Sequence, residues 1–210
     1  MIVLSAASCI IACAGDIGAQ FAFGTFFPGY NQLKDTVSRL GSSISPVSAE
    51  ISQWWIILGV LFIFFGIGFY KAFQKQERYA KLASVIIVIY GIGEGFGSGA
   101  FKADHDANGL TASGIYHEIL GGIGVIAILL LPLVMRKVIT RNENPAFYRL
   151  SQIIFISGLF FTLLFLFRYL PDVNNFFSIY KGLWQRLFIL NTYVYFLSIA
   201  FYMIRKQKSV

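Results

Sequence analysis

Six charge-poor apolar stretches, at 2–23, 51–70, 82–101, 110–135, 150–167 and 187–204, occupy most of this 210-residue chain. An α-helix needs roughly 20 such residues to cross a hydrocarbon core. A water-soluble fold has no means of hiding them all, because 57% of the side chains are hydrophobic and only 13% are charged. With lipid as the solvent, every backbone N–H and C=O must find its partner within the chain, and helices achieve this segment by segment. The sequence therefore predicts an all-α, polytopic membrane protein, a six-transmembrane-helix bundle with helices over about 2–23, 46–72, 82–101, 110–135, 148–168 and 183–204. No connection is long enough for a second unit, so residues 1–210 read as a single transmembrane domain.

Basic residues in short loops are retained on the cytoplasmic side. Of the 17 Lys and Arg residues, Lys71, Lys75, Arg78, Lys81, Arg136, Lys137, Arg141, Arg149, Arg205, Lys206 and Lys208 share one side; Lys34, Arg39, Lys102, Arg168, Lys181 and Arg186 share the other. This bias places both termini in the cytoplasm, the 24–50 loop outside, and the protein as a multi-pass component of the cell (cytoplasmic) membrane. The net charge of +7 then serves contact with membrane lipids, whose anionic headgroups attract basic residues at helix ends. No basic, aromatic-studded face suggests nucleic acid.

Cys9 and Cys13 stand four residues apart in the first stretch and read as packing residues. Ile10-Ile11-Ala12-Cys13 resembles a lipoprotein cleavage site, but no Lys or Arg precedes the apolar run, which continues to Phe23. A removable signal has a charged start and a shorter apolar region, so the first helix is expected to be retained.

The 24–50 loop has its own structure. Phe27-Pro28-Gly29-Tyr30 is a turn signal. Tyr30, Leu33, Val37 and Leu40 then recur at helical spacing, predicting a short amphipathic helix ended by Gly41. Ser45-Pro46 suits the start of the second helix. Gly91, Gly95 and Gly99 share one face of the third helix, which predicts close packing against a neighbour. Pro132 is placed to kink the fourth helix. Trp54, Trp55, Tyr30 and Trp184 suit an interfacial aromatic belt.

Ionisable groups inside membrane helices are costly and are candidate functional residues by default. Asp16 and Glu94 each lie seven residues before the point where their helix exits, and His117 and Glu118 lie in the outer third of the fourth helix. All four fall in one outer layer. Asp104, His105, Asp106, Arg168, Lys181, Gln185 and Arg186 surround it, with Asn191 one to two turns deeper. Mutual neutralisation, with Arg168 or Arg186 paired to Asp16 or Glu94, would account for these charges structurally. Asp104, His117 and Glu118, with His105, are candidate zinc ligands by residue type, although no HExxH motif supports zinc. Two histidines in all are too few for a bis-histidine haem site, and no mid-membrane lysine exists for retinal.

The motifs Phe27-Pro28-Gly29-Tyr30, Thr36-Val37-Ser38-Arg39-Leu40-Gly41 and Ser45-Pro46, with Asp104, His117 and Gly182-Leu183-Trp184-Gln185-Arg186, resemble domain-of-unknown-function family nine-nine-eight, bacterial and archaeal six-helix membrane proteins. Arg39 stands where that family usually has an acid, and Ala103 where a proline often precedes the aspartate. The family is itself remotely similar to autophagy-modulator-like, lipid-transport-linked six-helix proteins, which implies lipid handling without naming a reaction.

Three functions are open at this point. The leading expectation is an outward-facing polar pocket that binds a lipid headgroup or small polar ligand through Asp16, Tyr30, Glu94, Asp104, His117, Glu118, Arg168, Gln185 and Arg186, with the two arginines as anion contacts. The second is a membrane-embedded, metal-dependent or serine-dependent lipid hydrolase, with His117, Asp104 and Ser38 as catalytic candidates. The third is a proton-coupled transporter built on Asp16 and Glu94, although no inverted repeat is evident.

Overall fold

The computed structural model describes residues 1–107, 109–169 and 176–208. Six helices in it are long and apolar enough to cross a membrane: Ile2–Thr25, Ser48–Ala72, Gln74–Ala100, Ala112–Val138, Pro145–Tyr169 and Lys181–Gln207. The surface is inverted relative to a soluble protein, with Leu4, Ile11, Ile126, Ile153 and Ile156 exposed and Ser5, Asp16, Gln20, His117 and Thr192 buried. Each helix packs against its neighbours in sequence, and the first also packs against the sixth, so the six close into a ring.

Aromatic side chains from the second, third and sixth helices fill its centre. The Phe62 ring lies 4.9 Å from Phe196 and 5.2 Å from Tyr90, and Phe196 lies 5.4 Å from Tyr90. Cys9 and Cys13 are fully buried packing residues.

The third helix is held on both sides by its glycines. A Cβ at Gly91 would lie 2.9 Å from the Gly59 carbonyl oxygen, and one at Gly99 would lie 2.7 Å from that of Ser52. Gly93 and Gly97 meet Leu120 of the fourth helix in the same way. This is the close packing expected of Gly91, Gly95 and Gly99, extended to a second face. Between Gly91 and Gly97 the helix also widens into a π-helical segment, with Glu94 at its midpoint.

Several helix ends differ from the hydropathy reading. The third helix starts at Gln74 rather than 82, because the charged turn around Glu77, Arg78 and Lys81 stays helical with Ala80 and Ala83 buried. The fifth starts at Pro145: the Asn144 side chain accepts the Phe147 N–H at 3.0 Å, with proline at the first helical position. The second starts at Ser48, so Pro46 precedes it instead of opening it.

The 26–47 loop holds the largest correction. Pro28-Gly29 does form a turn, closed by the Tyr30 N–H on the Phe27 carbonyl at 3.0 Å, with Gly29 at φ 76°, where L side chains are strained. The amphipathic helix predicted after it is absent; only Val37–Gly41 winds, as a 3₁₀ helix. Asn31 accepts the Leu33 N–H at 3.0 Å and Asp35 accepts the Asn31 N–H at 2.7 Å, so side chains hold the backbone in turns. Leu33 is consequently exposed while Val37 and Leu40 are buried. The aromatic belt is also thinner than predicted, since Trp55 is buried and Trp54 is tied to Asp16.

Candidate functional site

The end of the bundle that carries the 26–47 loop gathers four polar clusters. In the first, Asp16 is enclosed by three neutral donors: Gln20 at 2.5 Å, Tyr193 at 2.7 Å and Trp54 at 3.1 Å. Neither Arg168 nor Arg186 pairs with it, which corrects the neutralisation expected for this acid. A carboxylate accepts several hydrogen bonds, and three converging donors offset much of its burial.

The second cluster ties the loop to the sixth helix. Arg186 donates through Nη2 to the Tyr30 hydroxyl and the Gln32 side-chain oxygen, each at 2.5 Å, and through Nη1 to the Asp35 carbonyl at 2.9 Å and the Gly182 carbonyl at 3.1 Å. Beside it, Gln185 accepts the Val37 N–H at 2.7 Å. Gly182 has the Asp35 backbone against its α-carbon, so only glycine fits there. Gln185 and Arg186 thus act as a clamp on the loop, and Gln185 also lines two cavities. Burial raises the Tyr30 hydroxyl above the ordinary tyrosine value of 10.0, against a smaller lowering by Arg186.

The third cluster organises the connection between the third and fourth helices. Asp104 accepts the Ser43 N–H at 2.7 Å and the Ser43 hydroxyl at 2.5 Å. Lys102 donates to the Ser48 hydroxyl at 2.7 Å and the Ser52 hydroxyl at 2.9 Å. His117 places Nδ1 2.9 Å from the Phe101 carbonyl oxygen. A carbonyl only accepts, so Nδ1 carries the hydrogen and Nε2 of the neutral ring is an acceptor. His105 and Asp106 form a two-residue strand paired with Gly109–Leu110.

The fourth cluster is an ion pair. Arg168 Nη2 meets Glu118 Oε2 at 2.6 Å, and the Tyr169 hydroxyl donates to the same oxygen at 2.7 Å. The Arg168 guanidinium lies 4.0 Å from the Phe165 ring centroid, and its Nε is buried with no hydrogen-bond partner among the described residues.

These clusters border three cavities. The widest, about 480 Å³, is lined by Asp35, Arg39, Asp104, Glu118, Arg168 and Lys181 among others. A second, about 150 Å³, lies against Glu94, His117, Val125, Phe165, Leu166 and Phe188. A third, about 30 Å³, reaches Asp16, Tyr90 and Tyr193. Ser38, Glu118, Arg168 and Tyr169 line both of the first two, and Ser38, Glu94, Ser98 and Gln185 line both of the last two. The series therefore steps inward and stops at Tyr90 and Tyr193, against which Phe62 packs.

The catalytic and metal candidates share cavity walls without bonding to one another among the described residues. Asp104 binds Ser43 and not His117, because the 41–45 backbone reaches across to it. Ser38 receives a weak donation from Gln185 at 3.4 Å and lines the same cavity as Glu94, His117 and Glu118, with no hydrogen bond to any of them among the described residues. Among the described residues no three of His, Cys, Asp and Glu come together to hold a metal ion, so Asp104, His117 and Glu118 form no zinc centre. Asn191 faces the fifth helix, accepting from Ser157 at 2.6 Å. Sequence reasoning missed Gln20, Tyr90, Tyr169 and Tyr193; Gln20 was the legible one, four residues from Asp16 on the same helical face.

Six apolar helices around a partly polar, stepped interior define a multi-pass integral membrane protein. A family model described as "Protein of unknown function (DUF998)" matches residues 10–202, and the chain belongs to that family. No curated protein and no solved structure matches it.

Proposed function

We propose that this protein binds an amphiphile, a membrane lipid held by its headgroup, in the two larger cavities. The observation that carries this reading is the composition of the inner cavity: the Arg168–Glu118 pair at its mouth, and Val125, Phe165, Leu166, Phe188 and Ile189 on its walls. Polar groups set among apolar walls suit a headgroup with the start of its acyl chain. Leu166 and Gly122 border the lipid-facing surface, offering entry from the side of the bundle. Arg168 lines both cavities, which supports an anionic group at the mouth.

In this reading residues 1–210 act as one domain in the cell membrane, with both termini cytoplasmic and the cavities opening outward. The eleven-to-six partition of basic residues supports that orientation. Arg168 replaces Arg186 as the anion contact, since Arg186 already serves four acceptors. The hydrolase reading lacks a nucleophile–base pair in this geometry.

Mass spectrometry of lipid co-purified with the full chain tests the proposal. Gly122→Leu fills the inner cavity without meeting any atom within 4 Å at its Cβ, and it should deplete bound lipid several-fold while leaving the protein folded. Equal lipid content in the native chain and in Gly122→Leu would refute the proposal.

A further inference from the structure

Among the described residues, Glu94 is the acid in this layer that no side chain answers. Among the described residues no hydrogen bond or ion pair reaches its carboxylate. Asp16 has three donors, Glu118 has Arg168 and Tyr169, and Asp104 has Ser43. A carboxyl group in a membrane interior calls for a partner, and no described residue is bonded to that of Glu94.

The local backbone aims Glu94 into space. Its π-helical segment is flanked by glycines packed on the second and fourth helices, and π-bulges frequently occur at functional sites. A Cβ at Gly121 would lie 3.5 Å from Glu94 Oε1, and the absence of one there keeps the carboxylate open to the 150 Å³ cavity.

That cavity is rich in acceptors. The neutral His117 ring presents Nε2 as an acceptor, and the Ser98 and Tyr90 hydroxyls accept as readily as they donate. Its one cation, Arg168, is matched by Glu118. Glu94 is the acid on its wall that no described residue answers, so an entering cation would meet a carboxyl group able to ionise against it.

We propose that the inner cavity selects a zwitterionic headgroup bearing a primary ammonium, with Glu94 as counter-ion to the ammonium and Arg168 at the mouth facing the phosphate. A primary ammonium has three N–H donors for Glu94, His117 and a hydroxyl, whereas a trimethylammonium has none. This inference rests on the cavity being a lipid site; it adds which headgroup enters.

Short-chain phosphatidylethanolamine, phosphatidylcholine and phosphatidylglycerol, titrated into the detergent-solubilised full chain by calorimetry, separate the two proposals. The primary ammonium should bind about ten-fold more tightly than the trimethylammonium, the size of one charge-assisted hydrogen bond. Glu94→Gln, close to isosteric, should remove that preference, bringing the phosphatidylethanolamine affinity to that of phosphatidylcholine. Equal affinity of the native chain for all three lipids would overturn the ammonium site while leaving lipid binding intact, and binding of none would overturn both. The comparison within the native chain stands even where Glu94→Gln fails to fold, and Gly121→Ala, whose Cβ would lie 3.5 Å from Glu94 Oε1, supplies a second variant with a weakened preference expected.

Discussion

Arg186 and Tyr30, 156 residues apart in the chain, are joined by a 2.5 Å hydrogen bond that fastens the first long loop to the last helix. The same guanidinium holds Gln32 and the Asp35 carbonyl. Together with Gln185 on the same helix and Asp104, which holds Ser43, this side chain fixes the loop at the rim of the cavities.

Arg186→Ala leaves four acceptors unanswered and should destabilise the folded protein by about 3 kcal/mol, the scale of losing hydrogen bonds to a charged donor. Arg186→Lys should recover little of this, because an ammonium cannot reproduce the planar fork. Thermal unfolding in detergent, with limited proteolysis of the 26–47 loop, reads both.

Alkaline pH should loosen the same loop. Tyr30 is raised above 10.0 in the folded state, chiefly by burial. A group whose folded pKa is raised contributes stability that is complete below its unfolded value and declines as pH rises through the folded one. Proteolysis within 26–47 should therefore accelerate above about pH 10 in the native chain, and Tyr30→Phe should flatten that dependence. Identical pH profiles for the two would remove Tyr30 from the explanation.

Asp16→Ala strands the Gln20, Trp54 and Tyr193 donors together and should cost about 2 kcal/mol. Asp16→Asn keeps an acceptor and should cost less. The Trp54 indole, which donates to this carboxylate at 3.1 Å, makes tryptophan fluorescence a direct reporter, and an unshifted emission maximum in Asp16→Ala would argue against the enclosure described.

Gly95→Val should be among the most damaging single changes in the third helix. A Cβ there would lie 2.6 Å from the Gly59 backbone nitrogen and 3.0 Å from the Trp55 carbonyl oxygen, so two helices must separate. A loss of about 2 kcal/mol or more is expected from such overpacking. Gly122→Ala, where nothing lies within 4 Å of the new atom, should stay within about 0.5 kcal/mol.

The spans were legible because length and hydropathy leave a membrane chain few alternatives. The nearness of Asp16 and Glu94 was legible from their equal distance to the helix exits, and the two line one small cavity. Partnerships were not legible. Arg168 pairs with Glu118 rather than with Asp16 because the fourth helix touches the fifth, while the first touches the second and sixth. The 30–41 segment misled through its helical spacing: Asn31 and Asp35 cap turns with their side chains, and Val37 gives its N–H to Gln185. The π segment left no signature beyond alternating glycines.

The most direct measurement is an experimentally determined map of the protein in a lipid bilayer, with the density between the fourth, fifth and sixth helices inspected at the inner cavity. Lipid binding predicts a headgroup beside Arg168 and Glu94 with an acyl chain along Val125, Phe165 and Leu166. A cavity holding only water, or closed by its own side chains, would contradict it.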